Sequence, residues 1–191
     1  SNAGTGSMDD QTFTYDVAQN LNENKFTRVG YTFAGWSKSE NGNVEFADKA
    51  SVKNLASKQG ETVTLFAVWN VKGNLVITYL NKNNSSVAKI ENESELKKTY
   101  TFGQPLDLVD ATCANYTFDG WYIKQGDNFD RVGNKLTSEQ TSTDAGITLY
   151  ANWTYKIVFN TNKPADATGT ITGTHTNKDM NSGEEYKLTE K

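Results

Sequence analysis

Few side chains in this sequence are equipped for chemistry. There is one histidine, His175, and one cysteine, Cys113. A zinc site built mainly from Cys and His needs several such ligands, and a disulfide needs a second cysteine, so neither forms within the chain. His175 lies in a Thr/Asn/Gly-rich stretch near Ser182. A catalytic triad needs a base bonded to both nucleophile and orienter, and no nucleophile motif accompanies this histidine. Asp127-Asn128-Phe129-Asp130 offers hard oxygen ligands of the kind calcium takes. It lacks the alternating acids, the glycine and the distal Glu of an EF-hand loop, so it reads as a plain turn. Two carboxylate pairs, Asp107 with Asp110 and Glu184 with Glu185, invite a glycosidase reading. That chemistry needs two acids facing each other across a cleft, and modules this small imply none, so these acids are expected to face solvent. Gly4-Thr5-Gly6 and Gly169–Gly173 lack the Gly-Lys-Ser/Thr of a phosphate loop and read as turns. Cys113 reads as a small, partly buried filler. No catalytic residue, no cofactor and no metal site is expected.

The aromatic residues are the remaining candidates, at nine Tyr, nine Phe and four Trp. Trp36, Trp121, Tyr122 and Phe129 together suggest a sugar-binding platform. Against that, each of these two tryptophans follows a glycine, as Gly35-Trp36 and Gly120-Trp121. A glycine beside a strand lets another backbone approach closely, and large aromatics favour burial, so Trp36 and Trp121 read as core. Tyr122 has only Ser37 as its counterpart. It is the better candidate for a ligand contact, with Phe129 as a second. The tripeptides beginning at Asn84, Asn92, Asn115 and Asn152 fit the glycosylation pattern, which is short and common.

The elements that hold these residues form a repeat. Tyr31-Thr32-Phe33-Ala34-Gly35-Trp36 returns 85 residues later as Tyr116-Thr117-Phe118-Asp119-Gly120-Trp121. Leu65-Phe66-Ala67-Val68-Trp69 returns after 84 residues as Leu149-Tyr150-Ala151-Asn152-Trp153. Phe13-Thr14-Tyr15 matches Tyr100-Thr101-Phe102, and Leu21 matches Leu108, both after 87 residues. Four anchors in one order at near-constant spacing mark a tandem repeat. Gly35, Trp36, Trp69, Gly120, Trp121 and Trp153 are its structural anchors. A third copy opens at Tyr155–Asn160, which parallels Leu75–Asn81. The expected division is a tag remnant at 1–3, a first repeat without its opening strand at 4–72, a complete repeat at 73–153, and a truncated third at 154–191.

Each anchor reads as a strand. Residues 62–69 and 146–153 alternate and are rich in β-branched and aromatic types, and 75–80 and 155–159 read likewise. Short helices are expected within 48–60, where Val52 and Leu55 are three apart between Asp48 and Gly60, and in the counterpart around Val132 and Leu136. Two further helical turns are expected at 17–24 and 105–111, the latter with Pro105 at its first position. The polar stretches 81–98 and 160–184 read as loops inside a fixed scaffold, where recognition is often placed.

Composition bounds the function. Nineteen Lys and Arg against 23 Asp and Glu give a net charge of −4, which argues against a nucleic-acid-binding surface. No run approaches the length a membrane helix needs, and so many aromatics do not suit a disordered chain. With two prolines, Pro105 and Pro164, there is no Pro-rich spacer.

The stretch Phe26-Thr27-Arg28-Val29-Gly30-Tyr31-Thr32-Phe33-Ala34-Gly35-Trp36, then Asp48–Leu55 and Leu65–Trp69, resembles the Listeria–Bacteroides repeat family, which includes the B-repeat of internalin B. Tyr116–Trp121 and Leu149–Trp153 carry the resemblance again. The second copy departs from the pattern, with Cys113-Ala114-Asn115 in place of Arg28-Val29-Gly30. The resemblance implies a small β-grasp-like α+β module, repeated in tandem on secreted or wall-attached bacterial proteins, with no catalytic motif. It thereby implies an extracellular, cell-surface location. The expected role is a non-enzymatic spacer with weak multivalent adhesion. The alternative is a specific glycan- or protein-binding module using loops of the second repeat, with a host or bacterial surface molecule as partner. Self-association through unpaired strand edges, Tyr155–Asn160 pairing with another copy's first repeat, is a further expectation.

Overall fold

The computed structural model describes residues 3–82, 88–157 and 178–181. In chain order its strands are β1 (Gln19–Asn20), β2 (Tyr31–Ser37), β3 (Ser51–Val52), β4 (Phe66–Val71), β5 (Leu75–Asn81) and β6 (Thr99–Tyr100). Then come β7 (Leu106–Asp107), β8 (Thr117–Gln125), β9 (Asn128–Val132), β10 (Lys135–Leu136), β11 (Ile147–Ile157) and β12 (Lys178–Asn181). Among the described residues the fold is all-β, built of several small sheets, and the expected short helices are absent. This corrects the α+β expectation.

The reason is local. Each pair of segments read as helices instead forms two short strands that bond to each other. β1 pairs antiparallel with β3, placing Gln19 opposite Val52. β7 pairs in the same way with β10, placing Leu106 opposite Leu136. Asp16, Lys49 and Asn54 sit at φ of 63°, 57° and 53°, a left-handed conformation that a right-handed helix excludes. Asp48 caps no helix; its Oδ1 accepts the Asn24 N–H at 2.9 Å. Helices this short are marginal without tertiary support, and here the tertiary support favours pairing.

The chain forms two compact units. One comprises Ser1–Leu75, Thr99–Gln104 and Thr137–Ala145; the other comprises Val76–Lys98, Pro105–Leu136 and Gly146–Lys191.

In the first unit β2 pairs antiparallel with β4, and Leu21, Trp36, Val52 and Ala67 form the buried core. Phe33 meets Trp36 and Trp69 edge-on, at centroid distances of 4.9 and 5.6 Å. Gly30, at φ +76°, has the Phe102 ring where a side chain would begin. Tyr31 meets Phe102 at 6.0 Å, and Lys72 pairs with Asp144 at 2.7 Å.

In the second unit the sheet order is β5-β11-β8-β9, with β12 also pairing β11. β5 runs parallel to β11, whereas β8 and β12 are antiparallel to it. Leu108, Trp121, Leu136 and Ala151 are buried, the counterparts of Leu21, Trp36, Val52 and Ala67 in the first unit. Phe118 meets Trp121 and Trp153 at 5.2 and 5.4 Å, repeating the first unit's aromatic triad. Asn115 takes φ 66° where Gly30 takes 76°. Asn tolerates that region better than most residues, so the departure at 113–115 keeps the backbone turn.

β11 continues unbroken through Tyr155–Ile157. Between Trp69 and Leu75 stand Gly73 and Asn74, the latter at φ 57°, which turn the chain from β4 into β5. Residues 155–157, expected as strand, are strand and form the end of β11. Residues 158–160 lie outside the described part.

Candidate functional site

Both units carry the same β-bulge. The β2–β4 register slips between Phe33 and Gly35. The β8–β11 register slips at Asn152/Trp153, leaving Asp119 as the extra residue between Phe118 and Gly120. Gly35 and Gly120 sit at φ 149° and 143°, a conformation side chains rarely adopt. A bulge bends its strand and re-aims the neighbouring side chains. In the first unit it presents Ala34; in the second it presents a carboxylate.

Around that carboxylate a cluster forms on one face of the sheet. Register places Leu80 beside Tyr150, Tyr150 beside Tyr122, and Tyr122 beside Arg131, one row across four strands. Alternation puts Trp121, Leu149 and Ala151 on the opposite, buried face. Tyr122 donates its hydroxyl to Asp119 Oδ2 at 2.7 Å, and Asn152 Nδ2 donates to the same oxygen at 2.9 Å. Arg131 donates to the Asp119 carbonyl. Its guanidinium packs over Gly120, so that a Cβ there would meet Nε at 3.0 Å. The Lys82 ammonium rests 4.1 Å from the centre of the Tyr122 ring and 5.5 Å from that of Phe129. Phe129 meets Tyr150 edge-on at 5.0 Å.

Electrostatics follow from these contacts. The Asn152 and Tyr122 hydrogen bonds hold the Asp119 carboxyl below its ordinary range, helped by Arg131 and Lys82. Burial, then the bond to Asp119, pushes the Tyr122 phenol up. The arrangement is therefore one anion and two cations gathered about half-buried rings. It can hold a ligand by charge and hydrogen bonding.

Sequence reasoning named Tyr122 and Phe129, and the structure brings both into this cluster, half-buried. It missed Asp119, Asn152, Tyr150, Lys82 and Arg131. For three of these the signal was present, as differences between the copies at the repeat spacing. Ala34 becomes Asp119, Val68 becomes Asn152, and Phe66 becomes Tyr150. Lys82 and Arg131 come close only through the fold.

The other sequence candidates lie elsewhere. Trp36, Trp121 and Trp153 are buried and Trp69 is half-buried. Trp121 Nε1 donates to the Val109 carbonyl at 2.9 Å, and Trp153 Nε1 to Asn81 Oδ1 at 2.8 Å. Trp36 Nε1 is buried with no hydrogen-bond partner among the described residues. Asp107 makes an exposed ion pair with Lys135 at 3.6 Å. Gly126 and Asp127 are the two-residue loop between β8 and β9, with Gly126 at φ 60° as a tight hairpin asks. Asn152 is 5% exposed and is held by Asp119, so the tripeptide beginning there is not an open glycosylation acceptor. Cys113 borders an open cleft of about 610 Å³ with Lys89, Glu91, Asn115, Tyr116 and Tyr155. Burial, reinforced by Glu91, pushes its thiol up, away from the reactive thiolate. His175, Ser182, Glu184, Glu185 and Gly169–Gly173 lie outside the described residues, as does Asn84.

A family model described as the Listeria-Bacteroides repeat domain matches residues 1–68 and, a second time, 76–152. No curated protein and no solved structure matches the chain.

Proposed function

Because the chain belongs to the Listeria-Bacteroides repeat domain family, which is found in bacterial cell-surface proteins and has no known catalytic activity, we propose that it is a surface repeat region acting as spacer and weak multivalent adhesion module. The second repeat supplies the contact. One observation carries this reading: the bulge and aromatic triad recur in both units, while the charged, aromatic cluster around Asp119 exists only in the second. A spacer requires the shared scaffold alone. Replacing Ala34, Ser37, Val68 and Phe66 by Asp119, Tyr122, Asn152 and Tyr150 adds polar and aromatic groups to one sheet face without altering that scaffold. Linked copies raise effective concentration, so a face of modest affinity suffices.

The test is a binding screen of the tetramerised chain against host glycans, matrix proteins and bacterial wall polymers, with Tyr122→Ala alongside. A ligand lost in the variant supports the contact face. Silence of the wild type across the panel leaves the region a spacer.

A further inference from the structure

We propose that the β5-β11-β8-β9 face of the second unit binds an acidic glycan, a polysaccharide whose rings carry carboxylates. This rests on the reading of that face as a contact surface and names its ligand class.

Charge points to an anion. Lys82 and Arg131 approach Tyr122 from the two sides of the sheet row, against the single carboxylate of Asp119. The local balance is positive on a chain of net charge −4. Asp119 is already bound by Tyr122 and Asn152, so it orders the face rather than repelling the ligand outright. Arg131 is held by the Asp119 carbonyl and by the space above Gly120. Its planar fork fits a carboxylate through two parallel hydrogen bonds. Lys82 is seated on the Tyr122 and Phe129 rings by cation–π attraction, which makes those two aromatics positioning residues for the ammonium.

Geometry favours a glycan over an acidic peptide. Sheets bind peptides along an edge, through main-chain hydrogen bonds. This cluster lies on a face, where only side chains are offered, and its two cations come from β9 and from just beyond β5, the two ends of a four-strand row. A polymer with a carboxylate on each ring can meet both cations at once.

The experiment uses the full chain, tetramerised, against polygalacturonate, neutral dextran and poly-L-glutamate. The expected result is preference for polygalacturonate, weakening about tenfold as salt rises through the physiological range. Lys82→Gln with Arg131→Gln should lower binding by about tenfold or more. Lys58→Gln, an exposed charge in the first unit, should leave it unchanged. Arg131→Lys should fall between, because charge remains and the planar fork is lost. Melting curves of each variant guard against misfolding. Failure of the wild type to bind polygalacturonate, equal binding of poly-L-glutamate, or indifference to the paired substitution would overturn the proposal. Dextran binding that Tyr122→Ala abolishes would overturn the acidic class while sparing the contact face. Polygalacturonate binding untouched by Tyr122→Ala would remove the contact face itself.

Discussion

At the residue scale, equivalent side chains in the two units have unequal surroundings. Trp121 and Trp36 occupy the same core position, yet Trp121 Nε1 donates to Val109 whereas Trp36 Nε1 finds no partner among the described residues. Replacing either with Phe removes similar volume, but only Trp121→Phe also removes a hydrogen bond, worth about 1 kcal/mol. Trp121→Phe should therefore destabilise by about that much more than Trp36→Phe, read from urea unfolding midpoints. Ionisation gives a second expectation. Burial pushes the Tyr79 phenol up to about 12, and its hydroxyl donates to the Lys97 carbonyl at 2.7 Å. The unfolded chain ionises this group near its ordinary value of 10.0, while the folded chain keeps the proton. Stability from this group is thus complete below pH about 10 and lost as pH rises toward 12. A spectrophotometric titration should show a tyrosinate forming toward pH 12 that is absent in Tyr79→Phe. Asp119 works in the opposite direction. Its lowered pKa means stability present above its ordinary value of 3.8 and lost as pH falls through the lower folded value. Melting temperature against pH should drop less steeply in Asn152→Ala than in wild type over that acid window.

At the element scale, the bulge decides what the sheet face carries. Both bulge glycines adopt φ near +145°, so alanine at either costs about 1–3 kcal/mol of backbone strain. At Gly35 the new Cβ would also meet the Phe46 carbonyl oxygen at 2.5 Å and Val44 Cγ1 at 2.6 Å. At Gly120 it meets the Arg131 guanidinium, the far end of a flexible side chain, at 3.0 Å. Gly35→Ala should therefore lower the melting temperature more than Gly120→Ala, while Gly120→Ala displaces Arg131 and weakens ligand binding. The long strands were legible in the sequence because residues 62–69 and 146–153 alternate and because Phe33, Trp36, Ala67 and Trp69 recur as Phe118, Trp121, Ala151 and Trp153. The short elements were not. Val52 with Leu55, three residues apart, imitates a helix face, but left-handed Lys49 and Asn54 break it, and Val52 is buried by pairing across to Gln19. Such pairing depends on residues about thirty positions away, which a local pattern cannot show.

At the scale of the whole molecule, two copies of one scaffold differ in what they present. Tyr122 was readable as a contact candidate from its mismatch with Ser37, and Phe129 only as one of several aromatics. Lys82 and Arg131 were not, since only strand register brings β9 and the end of β5 toward the same ring. The central claim is that the second unit's face provides weak adhesion made effective by linkage. It is tested most directly by comparing monomeric and tetramerised chain on one immobilised ligand from the screen, each with and without Tyr122→Ala. The account predicts a gain of about a hundredfold or more on tetramerisation, with Tyr122→Ala abolishing binding in both forms. Equal affinity of monomer and tetramer, or full binding by folded Tyr122→Ala, would contradict it.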